Sequence, residues 1–263
     1  MKIAHILVFA AVAGAARAAE PACSAYTGPH TTALVELYTS EGCDTCPPAD
    51  QWLSSLFSQG FRPDQVVPLS LHVDYWDYIG WKDPYARADF SARQRRLAAL
   101  RRPVIVYTPQ VLLQGQDFRR WSSDEFGDEV MRINSRAARA RIALAIRSVE
   151  PKAIQADLSA MLYDPTERKS AAVYLAAYEN RLASDVKAGE NKGRRLEHDF
   201  VVREWIGPIA FGDDLKVQQS RALPLLPGAD ARNLGVAAFV QNRGTSEVLQ
   251  ALMLPACKEP KAP

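Results

Sequence analysis

Two hydrophobic rhythms share this chain. In the first, continuous apolar runs alternate with amphipathic ones. Leu34–Tyr38 and Val66–Val73 read as buried parallel strands, and Ala49–Phe57 as a helix with Trp52, Leu53 and Leu56 on one face. Pro84 to Leu100 reads as a second helix, with a proline near its start and Pro103 as its stop. Short extended runs at Val104–Tyr107 and Val111–Gln114 follow, and Gly115-Gln116-Asp117 signals a hairpin turn. Ser122, with Glu125 three residues on, is a capping box for a third helix running to about Ala140.

The second rhythm begins near Arg141. It consists of seven short runs: Ile142–Val149, Ala153–Leu158, Ala171–Glu179, Arg195–Trp205, Leu215–Ser220, Val236–Gln241 and Glu247–Leu254. Clusters of Gly, Asn, Asp and Pro separate them, so an antiparallel sandwich is expected. Ala153–Met161 and Ala171–Glu179 are also compatible with helix on composition alone.

One motif gives the first half a chemistry. Cys43-Asp44-Thr45-Cys46 follows the first strand and is followed at once by Pro47-Pro48 and the first helix. A strand, a short turn, a Cys-x-x-Cys and a helix is how thioredoxin-like domains build a redox centre. The positive end of the helix dipole favours a thiolate, so Cys43 is the expected attacking thiol and Cys46 the resolving one. Zinc and an inert structural disulfide are the competing readings. A structural zinc site normally needs four ligands, and the remaining cysteines lie at opposite ends of the chain. The expected architecture is thus an α/β thioredoxin-like domain over residues 19–140, followed by a mainly β, sandwich-like domain over 141–257.

The ends of the chain set the compartment. Lys2, the apolar stretch from Ile3 to Ala16 and Ala16-Arg17-Ala18 read as a signal peptide over residues 1–18, with an uncleaved anchor as the alternative. Periplasmic or secreted localisation follows, without a membrane span in the mature chain. Cleavage removes Lys2 and Arg17, taking the net charge from +2 to 0, which gives no electrostatic case for nucleic acid as partner. In an oxidising compartment Cys23 and Cys257 are expected to pair, the alternative being two free thiols. Lys258 to Pro263 reads as a frayed tail.

Further candidates cluster around the motif. Thr108-Pro109 fits a cis-proline loop facing the dithiol, against an ordinary trans proline at a strand start. Glu36, a carboxylate in an apolar strand, is a candidate proton acceptor for Cys46 if it faces inward beneath the cysteines. His72, Asp74 and Trp76 lie after the second strand, either as a substrate-facing wall or as a hydrogen-bonded loop; a third reading makes His72 a metal ligand. Arg93, Arg95, Arg96, Arg101 and Arg102 read as a solvated face, or as a surface for an acidic partner.

The run from Val35 to Asp50 resembles a bacterial family of secreted proteins labelled domain of unknown function 1223. So do His72–Asp77 with Gly80–Pro84, Tyr107–Gln110, and Gly189–Arg194 with His198–Arg203. The resemblance implies a thioredoxin-like domain followed by a β-rich one, and no particular reaction. The Gly189–Arg203 stretch is either a hairpin with a tight turn or a segment in which Asn191, Arg194 and His198 have a groove or interface role. The expected function is an exported thiol–disulfide oxidoreductase acting on protein or small thiols with a redox partner, needing no cofactor and no metal. The alternatives are a soft-metal protein holding Cu(I) on its thiols and a non-catalytic adaptor.

Overall fold

The structure is a computed structural model that describes residues 23–101, 104–225 and 228–257. The expected signal peptide, residues 1–18, and the expected tail, residues 258–263, lie outside the described residues. In chain order the strands are β1 (Cys23–Tyr26), β2 (Ala33–Thr39), β3 (Val66–His72), β4 (Gln110–Leu113), β5 (Gln116–Asp117), β6 (Ala140–Glu150) and β7 (Ala153–Leu162). They continue as β8 (Ala171–Glu179), β9 (Leu182–Asp185), β10 (Arg195–His198), β11 (Val201–Ala210), β12 (Lys216–Pro224), β13 (Leu234–Asn242) and β14 (Val248–Pro255). Among the described residues three α-helices accompany them: α1 (Pro47–Ser55), α2 (Ala88–Ala99) and α3 (Glu125–Asn134).

The expected fold class is overturned. The chain is mostly β, 43% strand against 19% helix, and it does not form an α/β thioredoxin-like domain followed by a separate sandwich. Its main sheet has eight strands in the order β14-β13-β8-β11-β3-β2-β4-β5, so strands from both halves of the sequence share one sheet. The join is β11 against β3, parallel at Val201 and Ser70, with the Ser70 N–H donating to the Phe200 carbonyl at 2.8 Å. A second sheet, β1-β6-β7-β12, is antiparallel throughout.

Burial explains the arrangement. All nine residues of β8 are buried, because both faces of that strand are covered. Ala172, Tyr174, Ala176 and Tyr178 join the core that holds Leu53, Phe90 and Phe126 of the helices. Val173, Leu175 and Ala177 join the core against β6, β7 and β12. Helices, large sheet and small sheet are therefore three layers enclosing two cores, and a strand alternating between two apolar environments loses its polar face.

Local boundaries shift as well. Helix α3 ends at Asn134 rather than near Ala140, and Asp124 precedes it without a side-chain cap. Val104–Tyr107 forms no strand. The hairpin between β4 and β5 turns on Gln114 and Gly115, both at positive φ (53° and 72°). A Cβ on Gly115 would lie 2.1 Å from the Ser246 carbonyl oxygen, so this turn excludes any other residue.

Candidate functional site

Parallel strands β2 and β3 end side by side, with Thr39 opposite His72, and the chemistry-bearing residues collect beyond those carboxyl ends. After Thr39 the chain turns through Ser40, Glu41 and Gly42 to Cys43. Cys43 and Cys46 form a disulfide, and Cys23 and Cys257 form the other. Cys46 directly precedes α1, whose first two residues are Pro47 and Pro48. Both sulfur-bearing residues are buried, Cys43 at 1% exposure and Cys46 at 0%, while Asp44 and Thr45 between them are exposed. The Thr45 hydroxyl lies 3.3 Å from Cys43 Sγ.

The loop is packed from two sides. A Cβ on Gly42 would meet Trp76 Cβ and Ile79 Cδ1 at 3.2 Å, so the backbone passes close beneath the turn after β3. From the other side, Asn191 Nδ2 donates to the carbonyls of Glu41 and Cys43, 2.9 Å each, and Glu190 Oε2 accepts from the Asp44 N–H at 3.0 Å. Arg194 Nη1 donates to Asn191 Oδ1 at 2.7 Å. Segment 189–194, distant in sequence, thereby fixes the dithiol loop.

The expected site residues separate into those near this loop and those engaged elsewhere. Trp76 Nε1 donates to the Thr108 hydroxyl at 2.7 Å, and the Thr108–Pro109 bond is cis. Asp74 is tethered to α2, its carboxylate accepting from the Ser91 hydroxyl and its N–H donating to the same Oγ. Glu36 faces inward but meets no cysteine. Arg93 donates from Nε and Nη2 to its two oxygens at 2.6 and 3.0 Å, and the Tyr38 hydroxyl donates at 3.3 Å. The expected solvated arginine face is corrected at Arg93, which is buried among the rings of Tyr174, Trp205 and Phe239. Burial works against its charge, but Glu36 more than offsets this and holds the guanidinium pKa above its usual value.

His72 is fully buried, and with it the structure assembles a cluster that sequence reading mostly missed. His72 Nδ1 lies 2.8 Å from Asp83 Oδ2, and His198 Nε2 lies 3.1 Å from Glu41 Oε1. Trp81 Nε1 donates to Glu41 Oε2 at 2.8 Å, and the Glu41 and Tyr85 N–H groups donate to Asp83 at 2.9 Å each. The Thr39 hydroxyl donates to Asp50 Oδ2 at 3.1 Å. Two imidazoles and three carboxylates are thus gathered in one buried region, with Glu41 and Asp50 on either side of Cys43–Cys46 in the chain, and all are under 6% exposed.

Burial pushes the Asp50 carboxyl above the usual carboxylate range, with His198 and His72 opposing it. Burial lowers the pKa of His72, but the adjacent Asp83 overrides this and leaves the imidazole above its ordinary value. Asp83 lies below the usual range: its burial is outweighed by His72 and by the N–H donors. One signal for this cluster was present in sequence. Asp50 follows Cys46 by four residues, which places both on one side of α1. Glu41 and Asp83 carried none beyond lying in the stretches that resemble the family.

Comparisons with known proteins bear on the same residues. The family described as "Protein of unknown function (DUF1223)" matches residues 34–241. The chain belongs to this family. The matched span contains the dithiol loop, the His72 turn and the Asn191–His198 segment. Among proteins with curated descriptions, none matches. Protein AGR_C_4864 from Agrobacterium tumefaciens is similar in structure, with a TM-score of 0.65 and 23% identity, covering 90% of this chain and 99% of that one. HBP35 of Porphyromonas gingivalis is similar with a TM-score of 0.67 and 15% identity, covering 90% of this chain and 79% of that one. At these identities the likeness is one of fold.

Proposed function

We propose that this member of the family is an exported thiol–disulfide oxidoreductase working through the Cys43–Cys46 pair. The observation that carries the reading is a disulfide at the start of a helix, with Thr45 Oγ1 3.3 Å from Cys43 Sγ. The helix start and a hydroxyl donor both favour a thiolate at Cys43. Two disulfides fit an oxidising compartment, and no helix among the described residues is long and apolar enough to cross a membrane.

In the exchange, a substrate thiolate attacks Cys43 Sγ. The bond to Cys46 breaks and its electron pair leaves on Cys46 as a thiolate. The substrate's second thiolate then attacks the substrate sulfur of the mixed disulfide, releasing oxidised substrate and the Cys43 thiolate. Two electrons have moved from substrate to protein, and the reverse sequence reduces a substrate disulfide. Because Cys43 is buried, the exposed Asp44-Thr45 pair has to yield for the attack. Trp76 and Thr108 form the adjoining wall.

The test is a glutathione redox titration read by alkylation and mass spectrometry, with activity assayed on a disulfide-bonded peptide. The pair should show one reversible two-electron transition, at about −120 mV for an oxidant and about −270 mV for a reductant. Cys43→Ser should abolish turnover, and Cys46→Ser should accumulate mixed disulfides. A pair that does not titrate, or full turnover in Cys43→Ser, overturns the reading.

A further inference from the structure

We infer that Asp50, His72 and His198 form a binding site for a divalent first-row transition metal ion, with zinc the best fit. One ligand atom from each of the three residues lies within 4.8 Å of the others, and all three residues are buried. Asp50 Oδ1, His72 Nε2 and His198 Nδ1 are each without a hydrogen-bond partner among the described residues. A buried polar atom without a partner is costly, and one ion shared by the three residues would supply a partner to each.

The tautomers agree. A carboxylate only accepts, so Asp83 takes its hydrogen bond from His72 Nδ1–H and Glu41 takes one from His198 Nε2–H. Both rings in their neutral form then keep an unprotonated nitrogen that has no hydrogen-bond partner among the described residues, Nε2 of His72 and Nδ1 of His198. A ligating histidine oriented through its other nitrogen by a carboxylate is the usual outer arrangement of a protein metal site. Here the orienting groups are themselves held: Glu41 by Trp81 Nε1, Asp83 by two backbone N–H groups. Asp50 Oδ2 is 3.8 Å from His198 Nδ1, too far for a hydrogen bond. A zinc ion about 2.0–2.2 Å from each donor would draw the three side chains inward.

Imidazole and carboxylate donors suit zinc and its neighbours, whereas Cu(I) prefers thiolates, which the disulfide removes here. Three protein ligands leave a fourth position open. The site is independent of the redox reading, since it is complete with Cys43 and Cys46 oxidised.

The test uses the full exported chain with its disulfides intact, stripped by a chelator and titrated with Zn²⁺ or Co²⁺. One equivalent should bind, the melting temperature should rise, and the Co²⁺ form should show d–d bands of low coordination number. X-ray absorption of the zinc form should show two imidazoles with oxygen and no sulfur. His198→Gln and Asp50→Asn should weaken binding at least 100-fold, and Glu41→Gln about 10-fold. A melting temperature indifferent to metal, unchanged affinity in the folded variants, or a sulfur-containing shell overturns the site. Should the variants fail to fold, the absorption spectrum of the wild-type chain decides alone. A polar cavity that binds only water would show neither stoichiometric metal nor a shift in melting.

Discussion

At the scale of single residues, the Glu36–Arg93 pair shows how partner and burial together decide a role. The two are 3% exposed or less, joined by two hydrogen bonds, and Arg93 Nη2 also donates to Gln241 Oε1 at 2.9 Å. Removing one member leaves the other charged and buried. Arg93→Met should therefore cost about 3–5 kcal/mol in urea unfolding, while Glu36→Met with Arg93→Met should recover most of that loss. Equal losses in the single and double variants would mean that packing against Tyr174, Trp205 and Phe239, rather than charge pairing, sets the cost. Glu36 stands out in the sequence as a carboxylate in an apolar strand, but which way it faces stays open there, because the pattern does not fix its parity relative to Cys43. Its partner was not legible, since Arg93 sits in an arginine-rich helix whose other members Arg95 and Arg96 are exposed. Asp50 carried only its spacing of four residues from Cys46 as a signal, and its imidazole neighbours lie far away in the sequence.

At the scale of elements, the segment between β9 and β10 controls the dithiol loop. Asn191 is fully buried and donates to two loop carbonyls, while Gly189, at a φ of +74°, lets the turn pass within contact of Ile79 and Trp81. Asn191→Ala strips both carbonyls of their donor, at a cost of about 1–3 kcal/mol for each group left unsatisfied. That penalty falls on the closed loop, so opening becomes easier. The expected result is a rise of roughly tenfold or more in the rate at which dithiothreitol reduces Cys43–Cys46, about 1.4 kcal/mol per decade. An unchanged rate would mean that attack reaches the sulfur without movement of this loop. The sequence showed the glycine-bounded turn and the neighbouring strands. Nothing in it located the turn beside Cys43, because 148 residues separate Asn191 from that cysteine and periodicity carries no information at such range.

At the scale of the whole molecule, the order of strands in the sheet is what local patterns leave undetermined. β2 and β8 are both uniformly buried, and a strand apolar on both faces accepts a neighbour from either half of the chain. The eight-stranded sheet uses that freedom, and the Cys23–Cys257 disulfide then closes it. This bond ties β1, at the edge of the small sheet, to the chain just after β14, at the edge of the large one, across a separation of 234 residues. Loop-closure entropy on that scale stabilises the native state by up to about 5 kcal/mol. Replacing Cys23 and Cys257 together by Ser should lower the urea midpoint and the melting temperature correspondingly, leaving Cys43–Cys46 oxidised. The loss is set against what already holds the ends. β1 pairs with β6 through four residues, and the Ala256 N–H donates to the Leu234 carbonyl at 2.8 Å. If those contacts alone keep the edges together, the double variant loses less than about 1 kcal/mol and the bridge is dispensable for folding. If the bridge holds the two sheets in place, the variant unfolds at the lower midpoint while its dithiol potential stays at the wild-type value, since neither Cys23 nor Cys257 touches the loop.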